Sequence, residues 1–276
     1  MMQVIGDPIA HSKSPIIQTT MLDYLGLDIS YTPQRVKKGE LADYLAYAKT
    51  HAVTGFNATM PHKEDLIPLM NTLGEDAARC GAVNTVCLRD GKWVGHNTDG
   101  DGCLEALTQA GMWPAQGVVI LGAGGAAKAV ALRLARAGVE RIWVCNRTWS
   151  KAQQLCQLDP TGVLAPADFD LDTLANLCAQ SQLVINCTNL GMAGCPHQFE
   201  SFSFLDALPQ DAGVMDLIYS PAQTQLLQQA QARGRNTCNG LPMLVFQAIF
   251  ALEYFLNRSL PRLELAQAVF SKLTQA

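Results

Sequence analysis

The sequence predicts an α/β protein whose sheets are mainly parallel, and three observations carry that prediction. Short apolar runs of strand length alternate with segments of helical spacing, the rhythm of βαβ units. One of these runs ends in a glycine cluster that opens a helix. The chain has 276 residues, 49% of them hydrophobic, enough core for one large domain or two modest ones of roughly 150 residues.

Taken in order, residues 2–5 form a short apolar strand before the turn Gly6-Asp7-Pro8. Ser14 and Pro15 open a helix reaching about Leu25, since proline is tolerated at the first helical position. Residues 29–33 read as the next strand, and 40–51 as a helix with Leu41, Tyr44, Leu45 and Ala48 on one face. Residues 53–59 are again strand, while 82–88, the turn 89–92 and 93–96 form a hairpin. Further on, 117–121 (GVVIL) is a buried strand, followed by the glycine cluster and a helix over about 126–137 that Gly138 ends. Strands at 141–145, 183–187 and 213–216 follow, then a Gln-rich surface helix at 223–231. The last stretch, 241–276, is helical and amphipathic.

Composition excludes several classes. Twenty Lys and Arg against twenty-four Asp and Glu give a net charge of −4 with no like-charge tract, so there is no nucleic-acid footprint. No apolar run is long enough to span a membrane, and the start MMQVIGDPIAHSKSP is too short and polar for a signal peptide. Nine cysteines, an odd number without a CxxC pair, argue against a disulfide framework and against zinc, and for a reducing cytoplasm. The expected partners are therefore small molecules, with a monomer or homodimer as the assembly and no metal.

The most mechanistic segment is Gly122-Ala123-Gly124-Gly125-Ala126-Ala127. It follows a strand and opens a helix, the context a dinucleotide fingerprint requires. Gly122 allows the tight turn, Gly124 lets backbone approach a pyrophosphate, and Ala127 is small enough for helix–strand packing. The helix N-terminus offers free N–H groups and a positive dipole end to phosphates. An NAD site places an acid about 20 residues on, to hold the ribose hydroxyls. Here that place reads Asn146-Arg147-Thr148, then Lys151, with no acid. Arginine and lysine fit a 2′-phosphate, so the residues favour NADP over NAD.

Three polar clusters near strand ends could carry chemistry. They are residues 11–15 (HSKSP), 57–63 (NATMPHK) and 95–100 (GHNTDG), with Asn84 and Thr85 on the strand before the last. Ser12 and Ser14 can face one small polar ligand, or Ser14 can simply cap the helix. Lys63 and Asp99 suit proton chemistry: a positioned lysine can deliver a proton to a developing alkoxide, and a carboxylate can hold it. Spacing alone, with the two 36 positions apart, equally allows a solvated lysine and a turn aspartate. His11, His62 and His96 show no metal spacing and read as polar lining or helix caps.

Over nearly its whole length the chain resembles the shikimate dehydrogenase family. The shared motifs, in order, are HSKSP at 11–15, NATMPHKE at 57–64, GAVNT at 81–85, GHNTDGDG at 95–102 and GAGGAAKA at 122–129. NRT at 146–148, INCTNLGM at 185–192, DLIYSP at 216–221 and GLPMLVFQA at 240–248 complete the set. The resemblance implies reversible reduction of 3-dehydroshikimate to shikimate by NADPH, a step of aromatic amino-acid (chorismate) biosynthesis. It implies a substrate domain over 1–103 joined by the helices of 241–276, a Rossmann-type NADP domain over 104–240, and a cleft between them. Lys63 then matches the acid/base group and Asp99 its partner. Ser12 and Ser14 match carboxylate ligands, and Thr59, Asn84, Tyr219 and Gln247 match further substrate contacts. Gly122 to Ala127, Asn146, Arg147, Thr148 and Lys151 match the NADP site, with Thr188, Leu217 and Gly240 nearer the nicotinamide.

The chain departs from the family pattern at Ala58, Asn189, Pro242 and Phe246. Phe246 either narrows the cleft or packs inside its helix, and Pro242 restricts the loop before that helix. These changes bear on substrate preference and turnover rather than reaction type. The family also holds quinate-accepting and weakly active forms, which stand as the alternative enzymatic reading. A non-catalytic NADP-binding sensor is a third, against which the presence of both Lys63 and Asp99 speaks.

Overall fold

The structure, a computed structural model, describes residues 1–274. The chain divides into two compact units: Met1–Gly102 with the chain from Val245 onward, and Cys103–Leu244.

The first unit opens with β1 (Met2–Gly6), α1 (Ser14–Tyr24), β2 (Tyr31–Arg35), α2 (Leu41–Thr50) and β3 (Gly55–Ala58). Then come β4 (Thr72–Leu73), α3 (Glu75–Cys80), β5 (Thr85–Arg89), β6 (Lys92–His96) and the start of α4 (Asp99–Gln109). The six strands form one sheet in the order β2-β1-β3-β5-β6-β4. β1 runs parallel to both neighbours, but β3, β5 and β6 pair antiparallel, with Arg89 opposite Lys92 at the hairpin turn. β4 runs parallel to β6, so three of the five pairings are parallel and the expectation of mainly parallel sheets holds, with β5 against β3 and β6 as the exception. A two-residue hairpin turn can join only antiparallel strands. α2 buries Leu41, Tyr44, Leu45 and Ala48, the stripe its periodicity marks. Tyr44 meets the edge of Phe56 at 5.1 Å, and Phe56 meets Trp93 at 5.6 Å, an aromatic spine that closes this core.

The second unit contains β7 (Gly117–Leu121), α5 (Gly125–Arg136), β8 (Arg141–Cys145), α6 (Trp149–Cys156), β9 (Leu164–Ala167) and α7 (Leu171–Cys178). It continues with β10 (Leu183–Asn186), β11 (Gly213–Asp216), α8 (Gln225–Ala232) and β12 (Asn236–Cys238). Its six strands are all parallel, in the order β12-β11-β10-β7-β8-β9. β7 lies centrally, and the chain leaves it first toward β8 and later returns on its other side. Such a reversal leaves a crevice at the carboxyl end of the central strand. β7 is buried at every residue, as a strand covered on both faces must be.

The C-terminal stretch is not one helix but two, α9 (Gly240–Leu256) and α10 (Arg262–Leu273). Asn257 has φ +51°, a left-handed residue that ends α9, and Pro261 stands immediately before α10. Pro242 sits in the first turn of α9 rather than in a preceding loop, where its missing N–H costs nothing. Phe246 is 2% exposed, so it packs within the core. No described helix is long and apolar enough to cross a membrane.

α9 joins the N-terminal elements through a buried hydrogen bond and a partly exposed ring stack. Gln18 of α1 donates to the Ala248 carbonyl at 2.9 Å, and His96 stacks on Tyr254 with ring centroids 3.9 Å apart. Burial, with the nearby Arg89 charge, pulls the His96 imidazole down to about 4. Unfolded, the same ring binds its proton near 6.5. As pH falls between these values the unfolded chain takes up the proton first, so stability present above pH 6.5 is lost toward pH 4. Urea unfolding should show a loss of about 2–3 kcal/mol from this residue across that window. The slope should flatten in His96→Phe, and an unchanged slope would refute the assignment.

Candidate active site

In the first unit the site grows from the turn after β3. The His62 N–H donates to the Thr59 carbonyl at 3.0 Å, and the Val83 N–H to the Lys63 carbonyl at 2.7 Å. His62 is fully buried, with Nε2 2.7 Å from the Val36 carbonyl just beyond β2. It is thus neither polar lining nor a helix cap but an anchor that pins this turn to the neighbouring strand. His96 is partly buried and stacks on the exposed Tyr254, while His11 is exposed.

The anchored turn delivers Lys63 to Asp99. Lys63 Nζ donates to Asp99 Oδ2 at 2.6 Å, with the side chains 29% and 10% exposed. Asp99 is the first residue of α4, where the positive end of the helix dipole favours a carboxylate. Asn84 Nδ2 donates to the other oxygen, Oδ1, at 2.8 Å. Asn84 is itself oriented by the Thr98 N–H, which donates to its Oδ1 at 3.0 Å. This is a lysine ammonium held by a carboxylate whose second oxygen is already satisfied. It can give or take a proton at one point, Nζ.

The other expected residues of this unit sit on neighbouring elements. The Ser14 N–H donates to Ser12 Oγ at 3.2 Å, and Lys13, not Ser14, occupies the cap position of α1 without a side-chain bond. The capping reading of Ser14 therefore fails, because Ser14 already lies inside the helix. Thr59 lies over Gly6, where an added Cβ would stand 2.5 Å from Thr59 Cγ2. Gln247 belongs to α9 and is half-buried. At Gly102 of α4 an added Cβ would stand 2.6 Å from both the Gln247 nitrogen and its Cβ. That approach of backbone to backbone ties the helix carrying Asp99 to the helix carrying Gln247. Tyr219 lies in the other unit, exposed in the loop after β11.

In the second unit, β7 is followed by Gly122, whose φ of +104° suits glycine alone. Its N–H donates to the Cys145 carbonyl at 2.7 Å, and an added Cβ would stand 3.0 Å from Thr188 Cγ2. Gly124 caps α5 with no side-chain bond, and an added Cβ at Gly124 or Gly125 would meet nothing within 4 Å. The start of α5 thus has open space beside its leading glycines and no side-chain cap, with Ala127 buried behind them. Asn146 Nδ2 donates to the Thr148 carbonyl at 2.9 Å, while Arg147, Thr148 and Lys151 are exposed about the start of α6. The first turn of α6 carries no acid. Gly122 to Gly124, Asn146, Arg147 and Thr188 share one pocket of about 260 Å³. Phe169, Cys187, Asn189 and Leu190 complete its lining. Burial, with Asp216 nearby, pushes the Cys187 thiol far above its ordinary range, leaving a neutral, apolar group there.

Phe169 escapes sequence reasoning, and Asp216 enters it only as part of a strand and of the DLIYSP motif, without a role of its own. Phe169 follows β9, whose LAPA sequence is too weak a strand signal to place it. Asp216 is fully buried and accepts from Asn186 Nδ2 at 2.9 Å, Thr224 Oγ1 at 2.7 Å and the Ile218 N–H at 3.1 Å. It fixes the loop that carries Leu217 and Tyr219. Gly240 meets that loop directly: its N–H donates to the Ile218 carbonyl at 3.0 Å, and an added Cβ would overlap the Leu217 carbonyl.

One α/β unit with an uncapped, phosphate-ready helix and another with a lysine–aspartate proton site define a nicotinamide-dependent oxidoreductase. Residues 4–86 match the shikimate dehydrogenase substrate binding domain, and residues 105–192 match the shikimate / quinate 5-dehydrogenase family. A shikimate dehydrogenase (NADP(+)) of Alkaliphilus metalliredigens is 36% identical over 98% of this chain and 96% of its own. Shikimate 5-dehydrogenase from Thermus thermophilus, solved with NADP(H) and shikimate, superposes with a TM-score of 0.83 at 32% identity, covering 98% of each chain. The ligand-free 5-ketofructose reductase of a Gluconobacter strain superposes with a TM-score of 0.85 at 33% identity, over 98% of this chain and 97% of its own. The chain belongs to the shikimate dehydrogenase family.

The glycines make opposite predictions. Gly102→Ala should lose about 2 kcal/mol in urea unfolding, despite the better helix propensity of alanine, because α9 backbone occupies the space. Gly124→Ala should unfold within about 0.5 kcal/mol of wild type, because nothing stands near it. Equal stability of the two variants would contradict the packing at Gly102.

Proposed function

We propose that the chain is an NADP-dependent shikimate dehydrogenase that reversibly reduces 3-dehydroshikimate to shikimate, a step of aromatic amino-acid biosynthesis. The observation that carries this reading is the Lys63–Asp99 pair at 2.6 Å, in a family whose named relatives perform that reaction. The first unit acts as the substrate domain and the second as the NADP domain.

Lys63 is the acid/base group. In the reducing direction its ammonium gives a proton to the oxygen that gains charge as the carbonyl is reduced. Asp99 keeps Nζ aimed and charge-balanced, and Asn84 keeps Asp99 from rotating away. Ser12 and Ser14 hold the substrate carboxylate, with Thr59, Asn84, Tyr219 and Gln247 binding the remaining polar groups.

The second unit fits a dinucleotide by the open space over Gly124 and Gly125 and the uncapped first turn of α5. NADPH, when bound there, supplies the hydride. Residues Gly122 to Ala127 hold its pyrophosphate, while Asn146, Arg147, Thr148 and Lys151 hold the adenosine end. Arg147 and Lys151, with no acid beside them, suit a 2′-phosphate and would leave a bare 2′-hydroxyl without its usual carboxylate partner. Thr188, Leu217 and Gly240 border the nicotinamide. The nine cysteines, all free thiols, suit a cytoplasmic enzyme, as a monomer or homodimer.

A quinate-accepting enzyme is the second reading, favoured by the family description, which covers both substrates. Nicotinamide reduction measured with shikimate and quinate, each against NADP and NAD, decides between them. Turnover of shikimate with NADP should exceed the other three combinations, and no turnover in any of them would sink both readings. Lys63→Ala should lower kcat by a factor on the order of 10² or more with little change in KM for shikimate. A retained kcat would remove Lys63 from the mechanism. Arg147→Ala should raise KM for NADP far more than for NAD, and equal effects on both would count against a 2′-phosphate contact.

A further inference from the structure

A line of buried side chains runs from Tyr31 on β2 to the carboxylate of Asp99. Tyr31 Oη lies 2.7 Å from Asn57 Oδ1, and Asn57 Nδ2 lies 3.1 Å from Thr85 Oγ1. Thr85 Oγ1 lies 2.9 Å from Asn84 Oδ1, and Asn84 Nδ2 lies 2.8 Å from Asp99 Oδ1. All five residues are buried, Asn57 being the most exposed at 8% and Thr85 the least at 0%.

Two backbone groups fix the direction of every bond in this line. The Thr98 N–H can only donate, and it meets Asn84 Oδ1 at 3.0 Å, so the amide nitrogen of Asn84 must face Asp99. The Asn84 carbonyl can only accept, and it meets Asn57 Nδ2 at 3.1 Å, so Asn57 Oδ1 must face Tyr31. Tyr31 is therefore the donor, and burial pushes its phenol well above the ordinary value, which keeps the proton on it. Thr85 Oγ1 receives an N–H from Asn57 and has its own hydrogen left for Asn84 Oδ1. Every donor points the same way and the line ends on a carboxylate. Hydrogen bonds in such a chain polarise and strengthen one another.

We propose that Tyr31 and Thr85 are positioning residues for the proton-transfer step, acting through Asn57 and Asn84 to hold the Asp99 carboxylate on Lys63. The inference rests on the dehydrogenase reading of Lys63. Thr85 is the one hydroxyl that links the Asn57 and Asn84 side chains, so removing it takes away one of the bonds that hold Asn84 Oδ1, beside those from the Thr98 N–H and hydroxyl. Tyr31 fixes the far end by orienting Asn57.

Four variants test the line: Thr85→Val, which keeps the shape and removes the hydroxyl, Thr85→Ser, Tyr31→Phe, and Tyr31→Phe with Thr85→Val. Thr85→Val should lower kcat for shikimate oxidation about fivefold, the rate equivalent of one net hydrogen bond, with KM within about twofold. Thr85→Ser should recover kcat to within about twofold of wild type, and Tyr31→Phe should lower it about threefold. The double variant should be no slower than Thr85→Val alone, because both changes cut the same line. Losses that multiply, or a Thr85→Ser as slow as Thr85→Val, would overturn the proposal. Labelling of Lys63 by an amine-reactive reagent at fixed pH, read by mass spectrometry on substrate-free protein, gives a second measure. Lys63 should label about threefold faster in Thr85→Val than in wild type, and an equal rate would overturn the proposal. If wild-type protein fails to oxidise shikimate, the dehydrogenase reading falls, while the labelling comparison still decides whether the line acts on Lys63.

Discussion

The first unit is organised around keeping a lysine ammonium and a carboxylate in contact where water is scarce. Lys63 and Asp99 meet at 2.6 Å, mostly shielded by the side chains around them. A half-buried charge that loses its partner is costly, so each member needs a fixed address. Asp99 obtains one from the first turn of α4 and from Asn84, and Lys63 from the turn that His62 ties to Val36. The hairpin of β5 and β6 brings Asn84 and Thr98 together, and its antiparallel pairing departs from the βαβ rhythm on which the rest of the chain is built.

The second unit does the opposite, leaving the start of α5 uncovered. α5 starts without a side-chain cap, and its leading glycines carry nothing that could block an anion. Gly122, by contrast, is hemmed in by Thr188 and backbone, so its freedom serves the turn itself. A single motif thus contains glycines kept for two distinct reasons, one conformational and one for access.

Legibility in the sequence followed the physics of each element. The strands 117–121, 141–145 and 213–216 were readable to the residue, because strands in a parallel sheet are nearly continuous apolar runs. β9 and β4 were not: one is Leu-Ala-Pro-Ala and the other two residues long. α4 was hidden because it begins Asp-Gly-Asp-Gly, a poor helix sequence in isolation that tertiary contacts override. Lys63 and Asp99 could be nominated by residue type, but their contact depends on sheet pairing across 36 residues. The family motifs supplied what spacing could not. Tyr31, Asn57 and Thr85 carry no periodic signal at all. Asn57 and Thr85 are cross-strand partners, and Tyr31 reaches them from a strand two places away, a relation that exists only once the sheet is assembled.

The same unit is built from both ends of the chain, and that has a consequence for its synthesis. Gln18, His96 and Gly102 wait for Ala248, Tyr254 and Gln247. A ribosome moving from the N-terminus releases the first hundred residues long before α9 exists, while the whole of Cys103–Leu244 emerges in one piece. The second unit can therefore mature first, and the unit holding Lys63 stays open at one side until α9 has been made. A chain stopped before α9 would carry a finished second unit and an unfinished first one.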